Sequence, residues 1–197
     1  MTPEPLKILA VVGSLRRASI TRVVVQHLAA RWRAEGCEVD VLDLRAEPLP
    51  FYCPDTAGAE PWFAALRERV LRADVYLLGS PDYHGSISGV LKNFLDCFWR
   101  EFTGKLFASV VASHEKGLTV TDQLRTVARQ CYAWSLPYQV SFTEDEDVRD
   151  GQIVSESLRA RLGMMARDVR VYGSLLAQQR RADLAGNEPG FMARLRS

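Results

Sequence analysis

Short apolar runs alternate along the chain with longer segments in which apolar residues recur every three or four positions. The apolar runs lie at residues 6–12, 39–42, 75–79, 105–112 and 138–142. Runs of this length that are apolar almost throughout are typical of strands buried on both faces of a parallel sheet. The sequence therefore predicts five buried strands.

A helix is predicted after each strand, because the apolar residues there follow helical spacing. The helices are expected at residues 19–35, 62–70, 90–102, 124–131 and 158–176. Five strand–helix repeats predict an α/β fold, a doubly wound five-stranded parallel sheet with helices on both faces, in a single domain over residues 1–197. Ligands bind such sheets beyond the C-terminal ends of the strands, where the strand order reverses. The segments after strands one, three and four are therefore the candidate site.

Composition and charge narrow the class of protein. The chain has 197 residues, of which 47% are hydrophobic and 25% charged, as in ordinary soluble proteins. Its formal net charge of +1 argues against nucleic acid as a partner. No apolar run reaches the roughly 18 residues of a membrane span, and the N-terminus does not resemble a secretory signal. Four scattered cysteines without a Cys-x-x-Cys pair predict free thiols and a cytoplasmic location.

The segment after the first strand carries three hydroxyl side chains and an arginine. Gly13 allows a sharp exit from the strand, and the hydroxyls belong to Ser14, Ser19 and Thr21. The helix that begins near Ser19 offers open N–H groups to an anion, and Arg16 can bind a phosphate through two hydrogen bonds. The segment lacks both the glycines of a dinucleotide fingerprint and the Gly-Lys-Ser/Thr of a triphosphate loop. It predicts a site for a terminal monophosphate, the alternative being a plain helix cap with solvated arginines.

The loop after the third strand adds an aromatic side chain. Pro81 and Gly85 stiffen and bend this loop, and Tyr83 offers a face on which a planar heterocycle can stack. A tyrosine that only packs against the protein is the alternative. The run from Gly85 to Gly89 has Ile87 where a serine hydrolase has its nucleophile, so no such activity is indicated.

The two loops together resemble those of the NAD(P)H-dependent FMN reductases, a family with the flavodoxin-like fold. The family's phosphate loop, Gly-Ser-x-Arg-x-x-Ser, is matched by Gly13, Ser14, Arg16 and Ser19. Its second loop, Pro-x-Tyr-Asn followed by Leu-Lys-Asn and Asp, is matched by Pro81, Tyr83, residues 91–93 and Asp96. The resemblance extends over about residues 6–175. Three positions differ from the family pattern: Thr21 and His84 stand where asparagine is usual, and Ser88 stands where proline is usual.

This resemblance implies that FMN is the bound cofactor, held by three loops. The phosphate contacts would be Ser14, Arg16, Ser19 and Thr21, and the ring contacts of the second loop would be Pro81, Asp82, Tyr83, His84 and Gly85. The third loop departs furthest from the family's glycine-rich pattern, and its Ser113, Lys116 and Gly117 would lie along the pyrimidine edge of the flavin. Lys116 could there stabilise the charge of reduced flavin. A solvated Lys116 and a plain loop position for His84 fit the sequence equally well.

The implied activity is that of a flavoprotein oxidoreductase. NADPH or NADH would reduce bound FMN, which would pass electrons to a small-molecule acceptor such as a flavin, a quinone, an azo dye or a metal oxyanion. Hydride transfer needs no side-chain acid or base, so no catalytic residue is assigned. The alternatives are an FMN-binding electron carrier or sensor without nicotinamide turnover, and a relative that has lost flavin. The near-zero net charge argues against a carrier that is steered to a redox partner.

Two further features bear on metals and on assembly. His114-Glu115 lacks a second histidine four residues on, and the run at 144–147 predicts an exposed acidic turn, so no metal site is expected. The predicted third helix carries Phe94, Phe98, Trp99 and Phe102, more apolar surface than one sheet face covers. A subunit contact would bury the surplus, which predicts a homodimer or homotetramer, as is common among members of the family.

Overall fold

Two layers of helices enclose a parallel sheet in the computed structural model, which describes residues 4–114 and 116–196. The strands are β1 (Lys7–Val12), β2 (Glu38–Asp43), β3 (Val75–Pro81), β4 (Leu106–Ala112), β5 (Trp134–Ser135), β6 (Val140–Phe142), β7 (Val148–Arg149) and β8 (Gln152–Ile153). The helices are α1 (Ile20–Ala34), α2 (Pro61–Arg72), α3 (Gly89–Asp96), α4 (Leu118–Gln130) and α5 (Glu156–Ala185).

The order of the strands confirms the predicted doubly wound sheet. It runs β2-β1-β3-β4-β5, with β6 also paired to β4, and every pair in this sheet is parallel. Side chains alternate between the two faces of a strand, and Ile8, Ala10 and Val12 accordingly join a core with α1 and α5. Leu9 and Val11 join a second core with α2, α3 and α4. The order reverses between β1 and β3, which places their C-terminal ends at the expected ligand position.

The third helix is shorter than predicted, and this overturns the argument for a subunit contact on it. The helix α3 ends at Asp96, and a 3₁₀ turn at Arg100–Phe102 follows. Phe94, Phe98 and Phe102 pack edge to face or tilted against one another and are at most 4% exposed. Because the chain turns after Asp96, both halves of the segment face the protein's own core. Trp99 alone of the four aromatic residues named in the prediction is exposed.

The fifth strand is divided, where the sequence predicted one strand at 138–142. Two short strands, β5 and β6, pair in succession with β4. Pro137 lies between them and has no N–H to donate to the ladder, which accounts for the interruption. The antiparallel pair β7–β8, which the sequence analysis did not predict, follows β6. No helix within the described ranges is both long and apolar enough to cross a membrane.

Candidate functional site

A cleft of about 150 Å³ lies at the C-terminal edge of the sheet, over the reversal between β1 and β3. The loops that follow β1, β3, β4 and β6 form its walls. Eight of the predicted site residues line it: Ser14, Arg16, Ser19, Thr21, Pro81, Asp82, Tyr83 and Ser113. Four do not line it: His84, Gly85, Lys116 and Gly117. The three sequence segments therefore meet in space. All four residues predicted to bind the phosphate line the cleft.

The first turn of α1 is open to the cleft. Ser19 caps the helix, its hydroxyl accepting from the Arg22 N–H at 3.2 Å, and its carbonyl accepts from the Val23 N–H. The N–H groups of Ile20 and Thr21 have no hydrogen-bond partner within the part of the chain that the structure describes. Unpaired N–H groups at a helix start carry partial positive charge and bind anions. The hydroxyl-bearing residues beside them, Ser14 and Thr21, are buried at the base of the cleft.

A largely buried arginine fixes the backbone of this loop. Arg22 donates two hydrogen bonds to Asp43, at 2.5 and 3.2 Å, and further ones to the carbonyls of Ser14, Arg16 and Arg17 at 3.0–3.3 Å. These three carbonyls are thereby committed to the guanidinium, so they are not free to face an anion in the cleft. Burial raises the pKa of Asp43, but hydrogen bonds from Arg22 and a backbone N–H outweigh burial and leave the pKa below its ordinary value.

Close backbone contact joins the first and second loops. The Gly13 N–H donates to the Gly79 carbonyl at 2.8 Å, and a Cβ on Gly13 would lie 2.6 Å from that oxygen. Glycine is therefore required for close approach of the two strands rather than for the sharp exit predicted from sequence. Ser88, at a position where the family has proline, donates to the Gly13 carbonyl at 2.5 Å and caps α3. Its N–H donates to the Ser80 hydroxyl.

The second loop ends in a two-residue turn that exposes Tyr83. Tyr83 and Ser86 exchange backbone hydrogen bonds of 3.1 Å, and the residues between them, His84 and Gly85, have φ of 58° and 74°. Positive φ at both central positions is the pattern of a type I′ turn, in which asparagine and glycine are favoured and histidine is tolerated. His84 thus takes the asparagine position for a backbone reason and lies at the exposed tip. Tyr83 is 52% exposed at the rim of the cleft, which leaves a ring face accessible.

Asp82 connects the second and third loops. One of its carboxylate oxygens accepts from the Gly85 N–H at 2.8 Å, and the other accepts from the Ser113 hydroxyl at 3.0 Å. The backbone N–H of Ser113 donates to the Phe142 carbonyl, and that of Asp82 donates to the Ala112 carbonyl. These contacts commit both oxygens of Asp82 to holding the loops, so its observed role in this structure is positional.

Of the third loop, Ser113 and His114 line the cleft, whereas Lys116 and Gly117 do not. Gly117 adopts φ 61° at the start of α4, and a Cβ there would lie 2.7 Å from Val111. This glycine is therefore explained by backbone geometry and packing. Lys116 is exposed, and Glu115 lies outside the described residues. His114, which the sequence analysis weighed only as a metal ligand, lines the cleft.

Sequence analysis missed the contribution of the segment after β6. Thr143 and Glu144 line the cleft, and Glu144 receives two hydrogen bonds from Arg16, at 2.6 and 3.2 Å. The run at 144–147 is also not uniformly exposed as predicted: Asp147 is buried and accepts from the Thr143 N–H at 3.0 Å. The signal available in sequence was the position of these residues immediately beyond a strand at the binding edge.

A second cleft, of about 380 Å³, lies elsewhere on the surface. Trp99, Tyr132 and Phe191 line it together with Arg100 and Arg194. It contains none of the residues predicted for a site. It also lies away from the C-terminal strand ends, since Tyr132 precedes β5. The cleft over the strand reversal, which eight of the predicted residues line, is the candidate functional site.

The donors in the candidate site fit a phosphate monoester. A guanidinium, two hydroxyl-bearing residues and two N–H groups of the first turn of α1 face a small cleft at the positive end of this helix. The cleft is smaller than the roughly 300–1,000 Å³ of pockets that bury a whole cofactor-sized molecule. It therefore suits the phosphate end of a ligand whose ring system lies beyond it, towards exposed Tyr83.

Comparison with known proteins decides the family. A family model described as NADPH-dependent FMN reductase matches residues 6–147. The chain belongs to this family. The FMN reductase family model spans every loop of the cleft, including the segment at 143–147. The protein is accordingly an NAD(P)H-dependent FMN oxidoreductase, with FMN as its cofactor and NADPH as co-substrate.

Curated relatives agree with this family. The chain is 30% identical over 152 residues to an FMN-dependent NADPH-azoreductase of Staphylococcus haemolyticus, covering 72% of this chain and 79% of that protein. The corresponding enzyme of Staphylococcus aureus is 28% identical over the same length, with the same coverage.

Two solved structures are similar to the fold. The apo form of the NADH:FMN oxidoreductase EmoB has a TM-score of 0.69 at 17% identity, over 85% of this chain and 89% of that one. FerB, an NAD(P)H:acceptor oxidoreductase from Paracoccus denitrificans, has a TM-score of 0.67 at 20% identity, over 88% and 98% of the chains. At such low identities, the structural similarity shows a shared flavodoxin-like fold and no more.

Proposed function

We propose that the cleft over the β1–β3 reversal binds the phosphate of FMN, and that the protein passes electrons from NAD(P)H to a small organic acceptor. The observation that carries the proposal is the convergence of Arg16, Ser14 and the open first turn of α1 on one small cleft. Such a donor set favours a terminal phosphate, with charge assistance from the guanidinium. The family membership supplies the cofactor that bears this phosphate.

Each loop has a separate task in this proposal. Arg16, Ser14 and Thr21 bind the phosphate. Arg22 holds the carbonyl groups of Ser14 and Arg16 away from the phosphate. Tyr83 and the backbone of the second loop support the ring system. FMN, when bound, would supply the redox chemistry between NAD(P)H and the acceptor. No side chain of the cleft is assigned a proton transfer.

Four residues outside the cleft stay predicted ring contacts. His84 and Gly85 follow exposed Tyr83 in the second loop, and Lys116 and Gly117 follow Ser113 and His114, which line the cleft, in the third loop. Single replacement of Lys116 by methionine tests this. Weaker binding of both FMN and riboflavin supports a ring contact, whereas unchanged binding of both indicates a solvated side chain.

An azo compound or a quinone is the acceptor class we propose. The support is the activity of the relatives, which are FMN-dependent NADPH-azoreductases at 28–30% identity. The exposed rim at Tyr83 leaves room for a planar acceptor beside the flavin. Steady-state rates with an azo dye, a quinone and free FMN, each with NADPH as donor, rank the acceptors. A rate with free FMN far above the other two would shift the acceptor to flavin.

The decisive test of the proposed activity uses the protein reconstituted with FMN in the absence of oxygen. Addition of NADPH or NADH alone bleaches the visible flavin band within seconds if the protein is a reductase. An electron carrier or sensor keeps its oxidised spectrum until dithionite or a separate reductase is added. Persistence of the oxidised spectrum with both nicotinamides would therefore contradict the proposal.

The proposal extends to one domain over residues 1–197, a homo-oligomer and a cytoplasmic location. Exposed apolar side chains support self-association, notably Phe51 at 92% and Trp99 at 55% exposure. Four cysteines in free form support a reducing compartment. Light scattering of the purified protein at micromolar concentration should give the mass of a dimer or tetramer, and a monomer mass would contradict self-association. Fractionation of the native cells tests the compartment.

A further inference from the structure

The phosphate cleft contains a carboxylate bound to the arginine that would bind the phosphate. Glu144 accepts from both terminal nitrogens of Arg16, at 2.6 and 3.2 Å. This paired geometry is also the one in which a guanidinium binds two oxygens of a phosphate. Both side chains line the cleft beside Ser14 and the first turn of α1. The carboxylate therefore uses the donors that a phosphate needs.

The backbone around Glu144 is held in place by its neighbours. Asp147 is 7% exposed and accepts from the Thr143 N–H at 3.0 Å, and the Asp147 N–H donates to the Thr143 carbonyl. Arg161 lies 3.9 Å from Asp147 and donates to the Ser141 carbonyl at 2.6 Å. These contacts tie the turn to α5 and β6. Glu144 consequently approaches Arg16 from a fixed turn rather than from a free loop.

We propose that Glu144 competes with the flavin phosphate for Arg16 and so sets how strongly the protein distinguishes phosphorylated from unphosphorylated flavin. This inference rests on the proposed function of the cleft. A bound phosphate must take donors from Glu144 and also lies near its negative charge, and both effects oppose binding. Riboflavin has no phosphate and meets neither effect. Glu144 is thus a residue that determines specificity between phosphorylated and unphosphorylated flavin.

The test compares Glu144→Gln with Glu146→Gln. Both substitutions remove one negative charge from the same turn, but Glu146 is exposed and does not line the cleft. Titration with FMN should give roughly tenfold tighter binding for Glu144→Gln, a free-energy gain of about 1.4 kcal/mol. Binding of riboflavin should stay unchanged, and Glu146→Gln should bind both ligands as the wild type does. In the Arg16→Ala background, the gain from Glu144→Gln should shrink, because the competition has been removed.

Three outcomes separate this inference from the proposed function. Unchanged or weaker FMN binding by Glu144→Gln overturns the competition, weaker binding meaning that Glu144 orients Arg16 towards the phosphate. An equal gain for riboflavin also overturns it, because the effect would not involve the phosphate. If the wild type binds no FMN, the proposed function fails, and titration with inorganic phosphate still tests the competition. Tighter phosphate binding by Glu144→Gln is then expected, and equal binding contradicts the inference.

Discussion

Replacement of Arg22 by methionine should show how far FMN binding depends on the backbone conformation of the phosphate loop, because Arg16 keeps its charge. The guanidinium of Arg22 donates five hydrogen bonds, two to Asp43 and three to loop carbonyls. The side chains of the Arg22–Asp43 pair are 16% and 19% exposed. Loss of one partner of a buried pair costs roughly 3–5 kcal/mol. Asp43 keeps a hydrogen bond from the Arg45 N–H, so we expect about 2–3 kcal/mol lower stability for Arg22→Met.

The same substitution should weaken FMN binding roughly tenfold, because freed carbonyls can turn towards the phosphate at a cost of about 1–2 kcal/mol. Urea unfolding measures the stability, and titration with FMN and riboflavin measures the binding. Arg17→Met is the matched control, since Arg17 is an exposed side chain of the same loop. Adding Asp43→Asn to Arg22→Met should restore part of the stability but not the binding. This reasoning would be refuted if Arg22→Met had wild-type stability and an unchanged ratio of affinities for FMN and riboflavin.

Three further predictions follow from the structure. Burial lowers the pKa of Lys105, which donates to the Val70 and Leu71 carbonyls, to about 7. Between pH 7 and 10 the unfolded chain then binds more protons than the folded protein, so the stability of the wild type should rise with pH relative to Lys105→Met by about 1 kcal/mol per pH unit. Urea unfolding at several pH values measures this, and a difference that does not depend on pH would contradict it. Steady-state kinetics should give parallel double-reciprocal lines, because donor and acceptor use the exposed side of one flavin in turn, whereas intersecting lines indicate simultaneous binding. Calorimetric titration should show tighter binding of FMN than of FAD, because the donors are arranged for a terminal phosphate, and the reverse order would contradict a terminal-phosphate site.

Much of the fold could be predicted because burial leaves a periodic pattern in the sequence. The strands at 6–12 and 105–112 and the cap at Ser19 lie within two residues of the observed bounds. The third helix was predicted too long, because Phe94, Phe98 and Phe102 keep helical spacing across a turn that periodicity does not reveal. The strand β5, before Pro137, was missed because it has only two residues and both are exposed, so it leaves no apolar run in the sequence.

The site residues that lie close together in one loop were predicted, and those that reach the site from a distant part of the sequence were missed. Ser14, Arg16, Ser19 and Thr21 share a short segment, so their meeting could be expected from sequence. Glu144 lies 128 residues from Arg16, and no local pattern connects the two. The turn position of His84 depends on its φ of 58°, which residue type alone does not determine.

The central claim is that the cleft recognises flavin through its phosphate, with Arg16 as the charged donor. Titration of the wild type and of Arg16→Ala with FMN and with riboflavin tests it most directly. The account predicts that Arg16→Ala weakens FMN binding by roughly 10–100-fold, or about 1.5–3 kcal/mol for a charge-assisted hydrogen bond, and leaves riboflavin binding nearly unchanged. Equal losses for the two ligands, or no loss for FMN, would contradict phosphate recognition by this cleft.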